Sequence, residues 1–77
     1  MKVHIELVAT LRRPAGWDRE FDTEISPGTT VHQLLEQHFN PHEMKILQVL
    51  VKGERVSLNY EIKENDSLFI TVPIGGG

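Results

Sequence analysis

Apolar residues recur at every second position from Val3 through Ile5 and Leu7 to Ala9, with His4, Glu6 and Val8 between them. That period of two predicts a strand with one buried face. Leu11 to Gly16 carries the Pro14 and Gly16 of a loop, and Phe21, Thr23 and Ile25 resume the alternation, so two antiparallel strands are expected. Ser26-Pro27-Gly28-Thr29 suits a type II turn, with proline presetting φ at the second position and glycine supplying positive φ at the third. Thr30 and Gln33 have the spacing of a capping box. Val31, Leu34, Leu35 and His38 then fall on one face of a helix of two to three turns, which Pro41 limits downstream. Leu47, Val49 and Val51 form a third inward set, and Lys52-Gly53-Glu54 a tight turn into a short segment around Arg55-Val56-Ser57. A turn at Glu64-Asn65-Asp66, with Asn65 suited to left-handed geometry, precedes a last strand with Leu68, Ile70 and Val72 inward and Phe69 and Thr71 outward.

Strand, strand, helix, strand, short strand, strand is the β-grasp (ubiquitin-like) order, an α+β fold with a mixed sheet of four to five strands on one main helix. At 77 residues the chain has room for one core. The expected division is a β-grasp domain over 1–72 and a flexible glycine tail over 73–77.

Composition narrows the function. A net charge of −3 with eight scattered Lys and Arg argues against nucleic acid. The alternating N-terminus lacks the uninterrupted apolar run of a signal peptide, so neither membrane nor export is expected and the address is cytoplasmic. The absence of cysteine excludes a disulfide framework and a thiol nucleophile. His4, His32, His38 and His42 lack metal-ligand spacing, so no metal is expected. No catalytic grouping suggests an independent enzyme.

The sequence finishes Pro73-Ile74-Gly75-Gly76-Gly77. Glycines can enter a channel too narrow for any Cβ, while Pro73 stiffens the exit from the last strand. Fully extended, the segment reaches about 17 Å, enough to deliver a carboxylate deep into a partner. A carboxylate is a poor electrophile until activated, and no P-loop pattern is present to activate it, so another protein must do so. The residues alone leave an inert chain end and a working tail as alternatives.

Three segments carry a family resemblance. Val49-Leu50-Val51-Lys52-Gly53-Glu54-Arg55-Val56 resembles V-x-V-N-G-x-x-V, Ile62-Lys63-Glu64-Asn65-Asp66 resembles L-x-D-G-D, and the end resembles P-x-x-G-G. Together they resemble the MoaD/ThiS sulfur carriers, prokaryotic relatives of ubiquitin. The resemblance implies that Gly77 is adenylated by an adenylyltransferase related to ubiquitin-activating enzymes, becomes a thiocarboxylate and donates sulfur to a cofactor precursor. Pro73, Ile74, Gly75 and Gly76 would thread into the partner. The chain would bind no cofactor itself, ATP and a sulfur donor being used by the activating partner. Ala9 to Gly16 resembles the A-S-L-R-E-x-x-G segment of molybdopterin synthase small subunits, which implies a larger synthase subunit as second partner and a monomer when alone. Val72 in place of a second proline, the third glycine Gly75, and Lys52 in place of asparagine depart from that pattern. A thiamine-type or other sulfur carrier, or a protein modifier conjugated through Gly77, remain as alternatives.

Outward-facing Val8, Leu50 and Phe69 are the candidate partner-binding patch on the helix-free face. Trp17 is expected to close the hairpin end over the core, and His38 to pack at the core edge.

Overall fold

The computed structural model describes residues 1–73. The tail residues Ile74, Gly75, Gly76 and Gly77 lie outside the described residues. In chain order the elements are β1 (Lys2–Leu7), β2 (Glu20–Glu24), α1 (Val31–Glu36), α2 (Pro41–Met44), β3 (Gln48–Val51), β4 (Glu54–Val56) and β5 (Ser67–Thr71). The strands form one mixed sheet in the order β2-β1-β5-β3-β4. β1 and β5 pair in parallel, and the other neighbours are antiparallel. This is the β-grasp fold, with the last strand at the centre.

The alternation decides which face is buried. Val3, Ile5, Leu7, Val49, Val51, Leu68 and Ile70 are all buried, and the register places Ile5 beside Leu68 and Val49 beside Ile70. Val31, Leu34 and Leu35 of α1 cover them, joined by Phe39, Met44, Leu47 and Ile62. Each fully buried aliphatic side chain contributes about 1.5–3 kcal/mol relative to exposure.

Local chemistry sets the ends. Thr30 accepts from the Gln33 amide while the Gln33 side chain accepts from the Thr30 amide, completing the expected capping box. Gly28 has φ of 88°, and the Thr29 amide donates to the Ser26 carbonyl, as the turn requires. Lys52 and Gly53, at 53° and 79°, form the paired positive-φ turn that suits a two-residue hairpin. Asn65, at 67°, takes the left-handed geometry expected of it.

Three details differ from the sequence expectation. Ala9 is exposed in a turn: β1 stops at Leu7, and the Leu11 amide folds back to the Val8 carbonyl. α1 is shorter than two turns. Pro41 opens a second short helix, for which Asn40 and Glu43 form a capping box and proline takes the first position, where its missing N–H costs nothing.

Candidate functional site

Because β5 lies at the centre of the sheet, the chain leaves the domain between the end of β1 and the start of β3, as the pairings Leu7 with Ile70 and Gln48 with Thr71 show. Val72 is half-buried against the core and Pro73 is exposed. Ile46, two residues ahead of β3 and so at the same end of the sheet, is a large apolar side chain 49% exposed.

The sheet face opposite the helices carries a graded row. Cross-strand register sets Glu20 beside Glu6, Glu6 beside Phe69, Phe69 beside Leu50 and Leu50 beside Arg55. Leu50 and Phe69 are half-buried and stand outside the core cluster. Val8 follows the end of β1, its N–H donating to the Ile70 carbonyl, and its side chain shares packing with the core. The structure thus brings Leu50 and Phe69 side by side, whereas Val8, expected beside them, packs against the core cluster because β1 has ended at Leu7.

Beside this row His4 is gripped from both sides. Its Nδ1 lies 2.6 Å from Asp22 Oδ1 and its Nε2 lies 2.7 Å from Glu20 Oε2. Ionised carboxylates only accept, so these two contacts favour the doubly protonated, positively charged ring. Asp22 first and Glu20 second hold the His4 pKa above 6.5, while the same contact lowers that of Asp22. His4 is therefore an ion-paired strand residue. The spacing His4, Glu20, Asp22 gives no hint of this until the two strands are set in register.

On the other side of the molecule Arg12 forks onto Glu43, with Nε and Nη2 at 3.0 and 2.8 Å from the two carboxylate oxygens, and lies over the Phe39 ring. Arg12, aided by the Asn40 amide, holds the Glu43 carboxyl down to about 2. Arg12 thus fastens the β1–β2 loop to α2. Trp17 packs against Phe21, His38 and Phe39, closing the hairpin over the core edge as expected, with the His38 ring tilted by 44° at 4.5 Å between centroids. Asp66 is buried and accepts from the Tyr60 hydroxyl and the Lys63 amide, each at 2.8 Å, which fixes the turn before β5. Among the described residues no three His, Asp or Glu side chains are gathered to hold a metal.

The described residues form a β-grasp domain with an open sheet face and an exposed Pro73 beyond its central strand. The ThiS family model matches residues 5–77, and the chain belongs to the ThiS family. No curated protein matches the chain in sequence. Among solved structures it is similar to SAMP1 from Haloferax volcanii, with a TM-score of 0.72, 23% identity and all of both chains covered. It is also similar to a putative molybdopterin converting factor subunit 1 from Pyrococcus furiosus, with a TM-score of 0.71 and 26% identity over 95% of this chain and 98% of that one. One chain of the complex of subunits 1 and 2 of the molybdopterin-converting factor from Helicobacter pylori gives a third likeness, at a TM-score of 0.67 and 14% identity, with all of this chain and all of that chain covered. The family places the protein with ThiS/MoaD-type sulfur carriers, which are small carrier proteins.

Proposed function

We propose that the protein is a sulfur carrier for molybdopterin biosynthesis, with Gly77 as its reactive residue. The observation that carries this reading is the family match running through Gly77, on a fold whose central strand is followed by an exposed Pro73. The 26% identical Pyrococcus furiosus protein, named as a molybdopterin converting factor subunit, favours the molybdopterin branch.

In this reading an adenylyltransferase joins the Gly77 carboxylate to the α-phosphate of ATP, and pyrophosphate leaves. A sulfide equivalent from the donor then displaces AMP and leaves the thiocarboxylate. The carrier contributes reach and shape: Pro73 directs the exit, and Ile74, Gly75 and Gly76 pass through a channel of the partner. The open face around Leu50 and Phe69 docks the body while a larger synthase subunit receives the sulfur.

Intact mass after incubation with the host's adenylyltransferase, ATP and a sulfur donor tests the proposal. Exchange of one oxygen for sulfur at Gly77 is expected, and its loss in a chain lacking Gly77. An unchanged mass rejects the carrier reading, and ladders of heavier lysine conjugates would replace it with a modifier.

A further inference from the structure

The β2 edge of the sheet is an incomplete surface. β2 is the outermost strand and pairs only with β1. The phase of its ladder is fixed at both ends, where the Ile25 amide donates to the Met1 carbonyl and the Leu7 amide donates to the Arg19 carbonyl. Alternation then directs the backbone groups of Phe21 and Thr23 into the ladder and those of Glu20, Asp22 and Glu24 out toward solvent.

The inner face is equally unfinished at this edge. Phe21, Thr23 and Ile25 occupy core-facing positions yet are only half-buried, whereas their neighbours Val3 and Ile5 on β1 are fully buried. A groove runs here between β2 and α1, lined by Trp17, Thr23, Ile25, Leu34, Gln37 and His38. On the outer face the same strand presents Glu20, Asp22 and Glu24, with side chains 61%, 52% and 78% exposed. With Glu6 from β1 that makes four carboxylates, set against Lys2, His4 and the Met1 amino terminus, which lies 3.4 Å from Glu24, so the face keeps a small excess of negative charge.

We propose that this edge binds an extended peptide segment of a partner protein as a sixth strand, the segment alternating basic and apolar residues over about five positions. Main-chain bonds to Glu20, Asp22 and Glu24 would supply the pairing. Successive side chains of a strand point to opposite faces, so one set enters the groove beside Trp17 and the other meets the acidic face. The charge on that face selects lysine or arginine for the second set. It also discourages two copies of this chain from pairing through β2, as charged edge strands do. This docking is separate from the chemistry proposed for Gly77 and stands or falls without it.

The test uses the full chain and a synthetic seven-residue peptide alternating lysine and valine, followed by Trp17 fluorescence and by amide hydrogen exchange. Saturable binding is expected, with slowed exchange confined to the Glu20, Asp22 and Glu24 amides. Glu24→Pro deletes one outward N–H while leaving the β1 ladder whole, and should weaken binding about tenfold. Thermal unfolding of that variant checks that the fold is kept, and Glu24→Lys provides a second variant that alters charge alone. Absence of binding, equal binding of a peptide with glutamate in place of lysine, or slowed exchange elsewhere overturns the proposal. So does a concentration-dependent dimer of the free chain that Glu24→Pro abolishes, which would assign the edge to a second copy.

Discussion

His4 and Asp22 face each other across β1 and β2 with Nδ1 and Oδ1 2.6 Å apart, and the second ring nitrogen is held by Glu20 in the same way. The pair ties the outermost strand to its neighbour on the side the helices do not cover. Its strength depends on both groups being charged. His4 has a raised pKa in the folded protein, so its contribution is fully present below 6.5 and is lost as pH rises through the raised value. Asp22 has a lowered one, so its contribution is present above 3.8 and is lost as pH falls through the lowered value. His4→Gln should therefore lower the unfolding temperature between those limits and have little effect at alkaline pH. The same effect should shrink in high salt, because all three side chains are solvent-accessible. Unfolding midpoints of both proteins across the pH range measure it, and a pH-independent difference would contradict the ion pair.

The Arg12–Glu43 fork makes a second pH-dependent contribution with the opposite sense. Glu43 is held at about 2, so this contribution is complete above 4.5 and fades as pH falls from 4.5 toward about 2. Glu43→Gln keeps an oxygen for the Asn40 amide but removes the charge that Arg12 grips. The variant should unfold more easily at neutral pH and lose part of the acid sensitivity of the parent. Acid titration of unfolding at fixed salt distinguishes this from simple loss of the helix cap.

Most of the fold could be read along the chain because it rests on local rules. The period-two runs placed the core faces of β1, β3 and β5, Thr30 and Gln33 placed the start of α1, and Gly28 and Asn65 occupy the conformations their turns require. Ala9 misled because alternation cannot say where a strand stops; the Arg19 guanidinium, bonded to the carbonyls of Val8 and Leu11, holds the chain in a turn instead. Asn40-Pro41-His42-Glu43 did carry a helix-start pattern, but proline marks helix starts as well as ends, and only the first role was missed. The His4 clamp joins residues 16 and 18 positions apart, the Arg12 fork residues 31 apart, and the Trp17–His38 contact residues 21 apart, so no short window along the chain contains them. The open face was legible in Leu50 and Phe69, while the acidic edge beside it emerged only once β2 and β1 were aligned.

Asp66 shows what one buried carboxylate does for the strand that leads to the tail. It is 4% exposed and accepts from Tyr60 and from the Lys63 backbone. Asp66→Ala strands both donors and should cost about 2–3 kcal/mol, whereas Tyr60→Phe removes a single bond and should cost about 1 kcal/mol. The two changes share a partner, so the double variant should be less unstable than the sum. The same bond raises the Tyr60 pKa above 10.0, and tyrosinate absorbance should therefore appear at higher pH in the parent than in Asp66→Ala. Denaturant unfolding of the three variants and an alkaline spectrophotometric titration check both statements.

Phe69 and Ile70 are consecutive in β5 and separate stability from recognition. Ile70 is fully buried between Leu7 and Val49, so Ile70→Ala should cost about 2–5 kcal/mol through lost burial and the cavity left behind. Phe69 points to the other face, beside Leu50, and takes no part in the core cluster. Phe69→Ala should change stability by less than about 1 kcal/mol. If the open face docks the activating partner, the same substitution should raise the KM for the carrier in ATP–pyrophosphate exchange while leaving kcat near its parent value. The chemistry proposed for Gly77 would be untouched, because the substitution leaves residues 73–77 unaltered. A lowered kcat with unchanged KM would instead mean that the face positions the chain end after binding, and no effect on either would remove Leu50 and Phe69 from the docking surface.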